Sequence, residues 1–313
     1  MKYAVPPTPT EKGYGSLGGG NVKTLIFGST GQLGSELVKT FQQIGQVIGY
    51  GHADLDVTDT DAVYRAMQSH QPDVVMNTTA FMNADRCEGA PNQAYLLNAV
   101  VPGVVSRLAA ECGAISVWFS SDFVFDGTKT TPYVESDATG PLNTYGLSKV
   151  AGEMEVARHN PRHYIIRTAS LYGGAGLGGR GGNFVETMLA RAKRGEALRI
   201  VDDVIMSPTY AVDLAGMVLH MMDEPYGTYH VAGFGHTSWY AFCKSFLDRV
   251  GLAATLAPMR LADQPGAVAP RPKYSALESS RLSSAALQYN RPWQEALYAY
   301  LVAQRHVTAS VTY

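Results

Sequence analysis

Short apolar runs alternate along most of this chain with stretches whose apolar positions recur every three or four residues. Lys23-Thr-Leu-Ile-Phe27, Gln46-Val-Ile-Gly-Tyr50, Asp73-Val-Val-Met-Asn77, Ile115-Ser-Val-Trp-Phe119 and His163-Tyr-Ile-Ile-Arg167 have the length and composition of strands. Asp54-Leu-Asp-Val57 is expected to belong to a further short strand. Leu33, Leu37, Val38 and Phe41 fall at helical spacing with Glu36 and Lys39 between them, and Ala94 to about Glu111 reads as one long helix with Pro102 in its apolar face. Strands alternating with helices pair in parallel and are covered on both faces. The predicted fold class is therefore α/β, a Rossmann-type doubly wound parallel sheet with a smaller C-terminal substrate domain.

The same pattern sets the expected organisation. Residues 1–21, rich in Pro, Gly and Thr and without the apolar core of a signal peptide, read as a flexible leader. Residues 22–170 form the sheet domain, with a later return at about 205–232 in which Asp213 to Met222 packs a helix on the main sheet. Residues 171–204 and 233–313 form the smaller domain. Trp239, Phe242 and Phe246, like Trp293, Leu297, Tyr300 and Leu301, read as core positions of its helices.

Gly28-Ser-Thr-Gly31-Gln-Leu-Gly34 lies between the first strand and the first helix, the context in which such a spacing cradles a dinucleotide. Gly28 permits the turn, Gly31 admits the pyrophosphate and Gly34 lets helix and strand close. Thr30, Gln32 and Leu33 share that turn, whose helix N-terminus offers free N–H groups to an anion. The second strand ends in Gly51 and His52, with no carboxylate before Asp54. An acid there would bind the ribose 2′ hydroxyl of NAD. Its absence favours NADPH, with NADH the alternative. His52 is placed to meet a 2′-phosphate, and Asp56, with Val57 beside it, to meet the adenine amine.

The chemistry is expected between residues 115 and 149. Ser120-Ser121-Asp122 follows a buried strand at its carboxyl end, where an open α/β sheet holds its ligands. Tyr145 and Lys149 are four apart and share a helical face. A carbonyl that receives a hydride also needs a proton, and tyrosine at its reference pKa of about 10 is a poor donor at neutral pH. The Lys149 ammonium is expected to lower it, and the Ser121 hydroxyl to polarise the carbonyl.

Composition narrows the classes without adding a site. The net charge is −2 with no basic run, which argues against nucleic acid and anionic membrane as partners. No stretch reaches the ~20 apolar residues of a membrane helix. Cys87, Cys112 and Cys243 are scattered, without metal spacing, and read as reduced packing residues of a cytoplasmic protein. Metal ligands are not expected.

Taken in order, these motifs resemble the extended short-chain dehydrogenase/reductases, and within them the dTDP-4-dehydrorhamnose reductases. The similar stretches are Asn77-Thr-Thr-Ala80 with Asp85, Asn98, Phe119-Ser-Ser-Asp-Phe-Val-Phe-Asp-Gly127, Asn143-Thr-Tyr-Gly-Leu-Ser-Lys149, Ile166-Arg-Thr168, Asn183-Phe184, Ser207-Pro-Thr209 and Arg271-Pro272. The resemblance implies reduction of the C4 keto group of a dTDP-6-deoxy-hexulose, with Tyr145 as proton donor, Lys149 its partner and Ser121 in the place of a usual threonine. It places Thr79, Ala80 and Phe81 along the nicotinamide, and Asn98, on the helix after the fourth strand, in support of the geometry and, with Tyr145 and Lys149, among the coenzyme-binding residues.

On the substrate side the resemblance puts Asp122, Phe123, Ser170 and Asn183, with Arg180 and Arg271 suited to a pyrophosphate. Phe123 and Ser170 stand where the family often has tyrosine and tryptophan. Gly173 to Gly182 is too glycine-rich for a regular element and reads as a surface loop, or as a lid if it serves the substrate. The Asp-Glu pair of the related dehydratases is broken by Phe123. Another 4-ketoreductase or an epimerase, and a non-catalytic NADP-binding regulatory subunit like that of a methionine adenosyltransferase, stay open as alternatives. So does a homodimer.

Overall fold

The computed structural model describes residues 21–174 and 182–308. The strands are β1 (Val22–Phe27), β2 (Gly45–Tyr50), β3 (Val74–Asn77), β4 (Ile115–Ser121), β5 (His163–Thr168), β6 (Leu171–Tyr172), β7 (Leu198–Val201), β8 (Ile205–Met206), β9 (Thr209–Tyr210), β10 (Gly227–His230), β11 (Thr237–Ser238) and β12 (Leu256–Met259). The helices are α1 (Gln32–Phe41), α2 (Thr60–His70), α3 (Ala84–Gly89), α4 (Pro91–Tyr95), α5 (Val101–Glu111), α6 (Thr144–His159), α7 (Phe184–Lys193), α8 (Ala211–Met221), α9 (Trp239–Val250), α10 (Ser284–Leu287) and α11 (Trp293–Ala303).

Six strands form one parallel sheet in the order β10-β5-β4-β3-β1-β2. Alternation along each strand divides its side chains between two buried layers. Leu25, Phe27 and Val75 meet Val63 and Met67 of α2 and Val105 and Leu108 of α5. Ile26, Val74, Met76 and Val117 meet Leu33, Leu37 and Phe41 of α1 and Leu214, Val218 and Met221 of α8. The chain runs from β1 outward to β2 and then returns to β3 on β1's other side, so the strand ends part between β1 and β3. That is the switch point at which such sheets hold ligands. A separate cluster gathers α7, β7, α9 and α11 around Val185, Leu198, Phe242, Phe246, Trp293 and Tyr300.

Two local expectations need correction. Residues 54–57 form no strand, because three aspartates spend their carboxylates on nearby backbone. Asp54 accepts from Gly51 N at 2.7 Å, Asp56 from Thr58 N at 2.9 Å, and Asp59 caps α2 through Ala62 N. Asn98 consequently follows the third strand, not the fourth. The stretch from 94 to 111 is helical but not one α-helix. Pro102 has no N–H for the Asn98 carbonyl, and Leu96–Val100 takes a π turn, closed by Val101 N donating to Leu96 O, before α5 resumes.

The released Asn98 carbonyl becomes part of the packing of α6. A side chain at Gly152 would overlap that oxygen and the Trp118 ring, so α6 lies there backbone against backbone. One residue on, Glu153 takes Arg167 of β5 through two bonds, of 2.8 Å from Nε and 2.7 Å from Nη2, and the Ser120 hydroxyl of β4 at 2.6 Å. Both charged side chains are about nine-tenths buried. Gly152→Ala is expected to cost about 1–3 kcal/mol of unfolding free energy, the usual penalty of overpacking, read from the denaturant midpoint. Glu153→Gln, which strands a buried guanidinium, is expected to cost about 3–5 kcal/mol in the same measurement.

Candidate active site

The glycine turn has the geometry that an anion cradle requires. Gly28 sits at φ +82°, a left-handed value that disfavours a side chain, and a Cβ there would also strike the Thr78 hydroxyl. A Cβ at Gly34 would strike the Gly28 carbonyl. Gly31 is the N-cap of α1 and provides no side-chain cap, so the first N–H groups of a ten-residue helix face outward past Thr30, Gly31 and Gln32. Leu33 is buried beneath them. These residues fit a dinucleotide pyrophosphate.

The structure also explains the missing acid. A side chain at Gly51 would come within 2.7 Å of the Thr30 methyl. His52 and Asp56 are exposed beyond that point and Val57 is half-buried. Thr79 is pinned by its hydroxyl and its N–H to Asn77 Oδ1, at 2.6 and 3.0 Å, with Ala80 half-buried and Phe81 buried after it.

Asn98 is wholly buried and its amide is spent within the protein. Its oxygen accepts from Phe81 N at 2.9 Å, and its Nδ2 donates to Phe81 O and to the Ser148 hydroxyl, each at 3.0 Å. With both amide hydrogens engaged, Asn98 ties the loop after β3 to α6 and does not reach a ligand itself. The support role fits its surroundings; direct coenzyme contact does not.

Tyr145 and Lys149 occupy the first turns of α6. Asn143 starts that helix by accepting from Gly146 N at 2.8 Å, and its Nδ2 donates to Pro270 O at 2.7 Å. Glu88 of α3 holds Thr144 through both its N–H and its hydroxyl, each at 2.8 Å. The helix start is thereby fixed from two sides. The Phe123 ring meets the Tyr145 ring edge-on at 5.6 Å, and the Ser121 hydroxyl at the end of β4 is near enough to the phenol to favour its ionised form. Lys149 Nζ donates to Phe119 O at 2.9 Å and lies 4.6 Å from the Trp118 ring centroid. Ser121, Tyr145 and Lys149 are thus brought together at the carboxyl ends of the sheet.

Their electrostatics differ from expectation in one respect. Burial pushes the Tyr145 phenol above its ordinary value, and the Ser121 hydroxyl only partly offsets it. Burial likewise draws the Lys149 ammonium down to about 7, against the pull of Glu153. Cys87 beside them is raised by burial to about 11 and stays a thiol.

A cavity of 710 Å³ opens beside these groups, lined on the sheet side by Asp122, Phe123, Ser170 and Arg271. Ser170 holds a left-handed backbone at φ 44°. Arg271 is already paired with Asp85 at 2.5 Å and with Ala269 O at 3.0 Å. Asn183 is not in the lining. It is 4% exposed and caps α7 by accepting from Glu186 N at 3.0 Å, while Nδ2 donates to Gly173 O and the Tyr300 hydroxyl, each at 2.8 Å. The expectation that it contacts substrate is therefore corrected to that of a helix cap. Arg180 and most of the glycine loop lie outside the described residues.

Across the cavity stand residues that the sequence pattern left unassigned: Phe184, Met188 and Arg191 of α7, Arg199 of β7, and Ser275. Trp239, read from its spacing as core, is also in this wall. It and Phe184 are each the first residue of a helix after a capping side chain, which carries their rings past the end of the core, where they meet edge-on at 4.7 Å. Helical spacing alone does not separate the last core position from the first position beyond it. Among the described residues no helix is long and apolar enough to cross a membrane.

Comparison with known proteins agrees with this architecture. The family model described as the RmlD substrate binding domain matches residues 22–306. A spore coat polysaccharide biosynthesis protein, SpsK, of Bacillus subtilis is 37% identical over 280 residues, covering 89% of this chain and 96% of that protein. The crystal structure of a dTDP-4-dehydrorhamnose reductase from Clostridium acetobutylicum superposes with a TM-score of 0.83 at 36% identity, covering 91% of this chain and all of that one. A second, from Bacillus anthracis in complex with NADP, gives 0.82 at 31% identity and covers 90% and 99% of the two chains. With a turn, a Ser-Tyr-Lys cluster and a cavity in this arrangement and these likenesses across nearly its whole described length, the chain belongs to the dTDP-4-dehydrorhamnose reductase family of the extended short-chain dehydrogenase/reductases.

Proposed function

We propose that this protein reduces the C4 keto group of dTDP-4-dehydro-L-rhamnose, giving dTDP-L-rhamnose, with NADPH as coenzyme and NADH as the alternative. The observation that carries this reading is the convergence of Ser121, Tyr145 and Lys149 between an uncapped glycine turn and a cavity walled by aromatic and arginine side chains. The names of the relatives at 36% and 31% identity point to the same substrate, and one of them binds NADP. In this reading the parallel sheet serves the coenzyme, and the second core, around α7, α9 and α11, serves the nucleotide sugar.

The coenzyme, with its pyrophosphate held at the glycine turn, would supply the hydride from its nicotinamide. Tyr145 gives its phenolic proton to the C4 oxygen as the carbonyl is reduced, and Ser121 orients that oxygen. Lys149, held by the Phe119 carbonyl, is placed for the ribose hydroxyls. Phe184 and Trp239 offer faces for the base, and Arg191, Arg199 and Arg271 offer guanidinium groups for the pyrophosphate. We place the protein in the cytoplasm as a homodimer, whose second copy would cover the exposed apolar residues Tyr95, Leu96 and Val100 and, on α6, Leu147 and Met154.

The reading is tested by following reduced coenzyme with dTDP-4-keto-6-deoxyglucose and a 3,5-epimerase. Oxidation that depends on the epimerase is expected; oxidation without it would assign a different 4-ketosugar. Tyr145→Phe is expected to lower turnover by about 10²-fold or more while coenzyme binding persists. Trp239→Ala is expected to raise KM for the nucleotide sugar about tenfold, the size of one lost base stack, with kcat little changed.

A further inference from the structure

We propose that Asp85 is a positioning residue for the nucleotide sugar: it holds the Arg271 guanidinium at the cavity, ready for the pyrophosphate, at a distance from Tyr145 that helix α3 fixes. The proposal rests on the reading of the cavity as the nucleotide-sugar site and adds the group that sets its phosphate anchor.

Arg271 lies on a segment that crosses the carboxyl ends of the sheet, and it is held there residue by residue. Asp85 Oδ1 accepts from Val268 N at 2.8 Å and from Ala269 N at 2.9 Å. The next carbonyl, Pro270 O, accepts from Asn143 Nδ2 at 2.7 Å. Arg271 itself donates through Nη2 to Asp85 Oδ2 at 2.5 Å and through Nη1 to Ala269 O at 3.0 Å. Beyond it, a Cβ at Gly127 would come within 2.6 Å of Pro272 Cα and Lys273 N, so the loop after β4 meets the segment backbone to backbone. Ser275 Oγ closes the run by donating to Asp122 Oδ2 at 2.6 Å.

The other end of the same attachment is the proton donor. Helix α3 carries both Asp85 and Glu88, and Glu88 holds the N–H and hydroxyl of Thr144, immediately before Tyr145. Asn143, which takes Pro270, caps the helix that bears Tyr145. One six-residue helix therefore ties the guanidinium and the phenol to a common frame. A nucleotide sugar carries its pyrophosphate on C1, across the ring from the C4 that reacts. An anchor fixed relative to Tyr145 fixes where C4 falls, and an error of about one ångström there is costly to rate.

Hydrogen-bond counting and charge agree with a guanidinium that is held and still open to a ligand. A guanidinium has five N–H donors. Asp85 and Ala269 take two of them and leave the rest for phosphate oxygens. Burial would raise the Asp85 carboxyl, but Arg271 and the N–H groups of Ala269 and Val268 hold it below its ordinary value, so it stays ionised at neutral pH. The Arg271 and Asp85 side chains are 19% and 28% exposed, and an ion pair so open to water adds little to stability. What the pair provides is orientation: a long side chain that would otherwise be ordered on binding is ordered beforehand.

The test is titration calorimetry on the full protein holding NADPH, with dTDP and with thymidine, which lacks the phosphates. Asp85→Asn keeps an oxygen for the Val268 and Ala269 N–H groups but turns an amide N–H toward the guanidinium. It is expected to weaken dTDP binding about tenfold, the worth of one pre-ordered side chain, and to leave the thymidine and NADPH affinities unchanged. In an Arg271→Ala background the same substitution should have no further effect on dTDP. Equal dTDP affinity in Asp85→Asn, or tighter binding by a guanidinium freed of its carboxylate, overturns the proposal. So does an equal loss of dTDP and thymidine, or a loss that persists without Arg271. If Asp85→Asn does not fold, Arg271→Lys takes its place: it keeps the charge but not the fork, and undiminished dTDP affinity there overturns the proposal. A wild type that binds no dTDP removes the nucleotide-sugar reading and the proposal with it, whereas dTDP binding untouched by Asp85→Asn removes only the role of Asp85.

Discussion

Gly152 lets α6 lie against the Asn98 carbonyl and the Trp118 ring with no side chain between them, and the next residue, Glu153, locks the same turn to Arg167 and Ser120. Every part of the Ser-Tyr-Lys cluster is referred to that seat. Tyr145 and Lys149 lie on the two turns preceding it, so a shift of α6 by about one ångström would carry both away from the strand end that presents Ser121. Close backbone contact sets this distance, because a methyl group at Gly152 has nowhere to go. The buried ion pair adds direction: two guanidinium bonds and a serine hydroxyl fix the roll of the helix about its axis.

The same burial that positions the site sets its electrostatics. Removing Tyr145, Lys149 and Asp122 from water disfavours the charged form of each, which moves the phenol and carboxyl up and the ammonium down. All three are thereby drawn toward neutrality, the state in which protons pass between neighbours with least separation of charge. The sequence suggested a lysine acting directly on the tyrosine. In the folded protein the two roles are divided. Lys149 is held by a strand carbonyl and an indole face, and the hydroxyl that offsets the burial of the phenol is that of Ser121.

Some of the site was legible from local pattern and some was not. Gly28, Gly31 and Gly34, Ser121, and Tyr145 with Lys149 were readable because each acts through its own element: a turn, a strand end, one helical face. Asn98 as a coenzyme contact and Asn183 as a substrate contact were misread for a shared reason. A buried amide can serve either a ligand or the backbone, and only the tertiary structure shows that Phe81, Ser148, Glu186 and Tyr300 already use these two. Trp239 kept helical register with Phe242 and Phe246, yet it stands at the helix end and faces the cavity. Ser275 carries no motif at all.

Periodicity and the glycine and proline positions alone determined the parallel sheet, its helices and the order of the chemical groups along the chain, since each depends on residues a few positions apart. The short stretch at 54–57 and the π turn before Pro102 were decided by competing local hydrogen bonds that spacing does not record. The far wall of the cavity and the Ser275–Asp122 contact were decided only in three dimensions. Asp122 and Ser275 are 153 positions apart, and nothing in either neighbourhood carries information about the other until the second core closes over the strand ends.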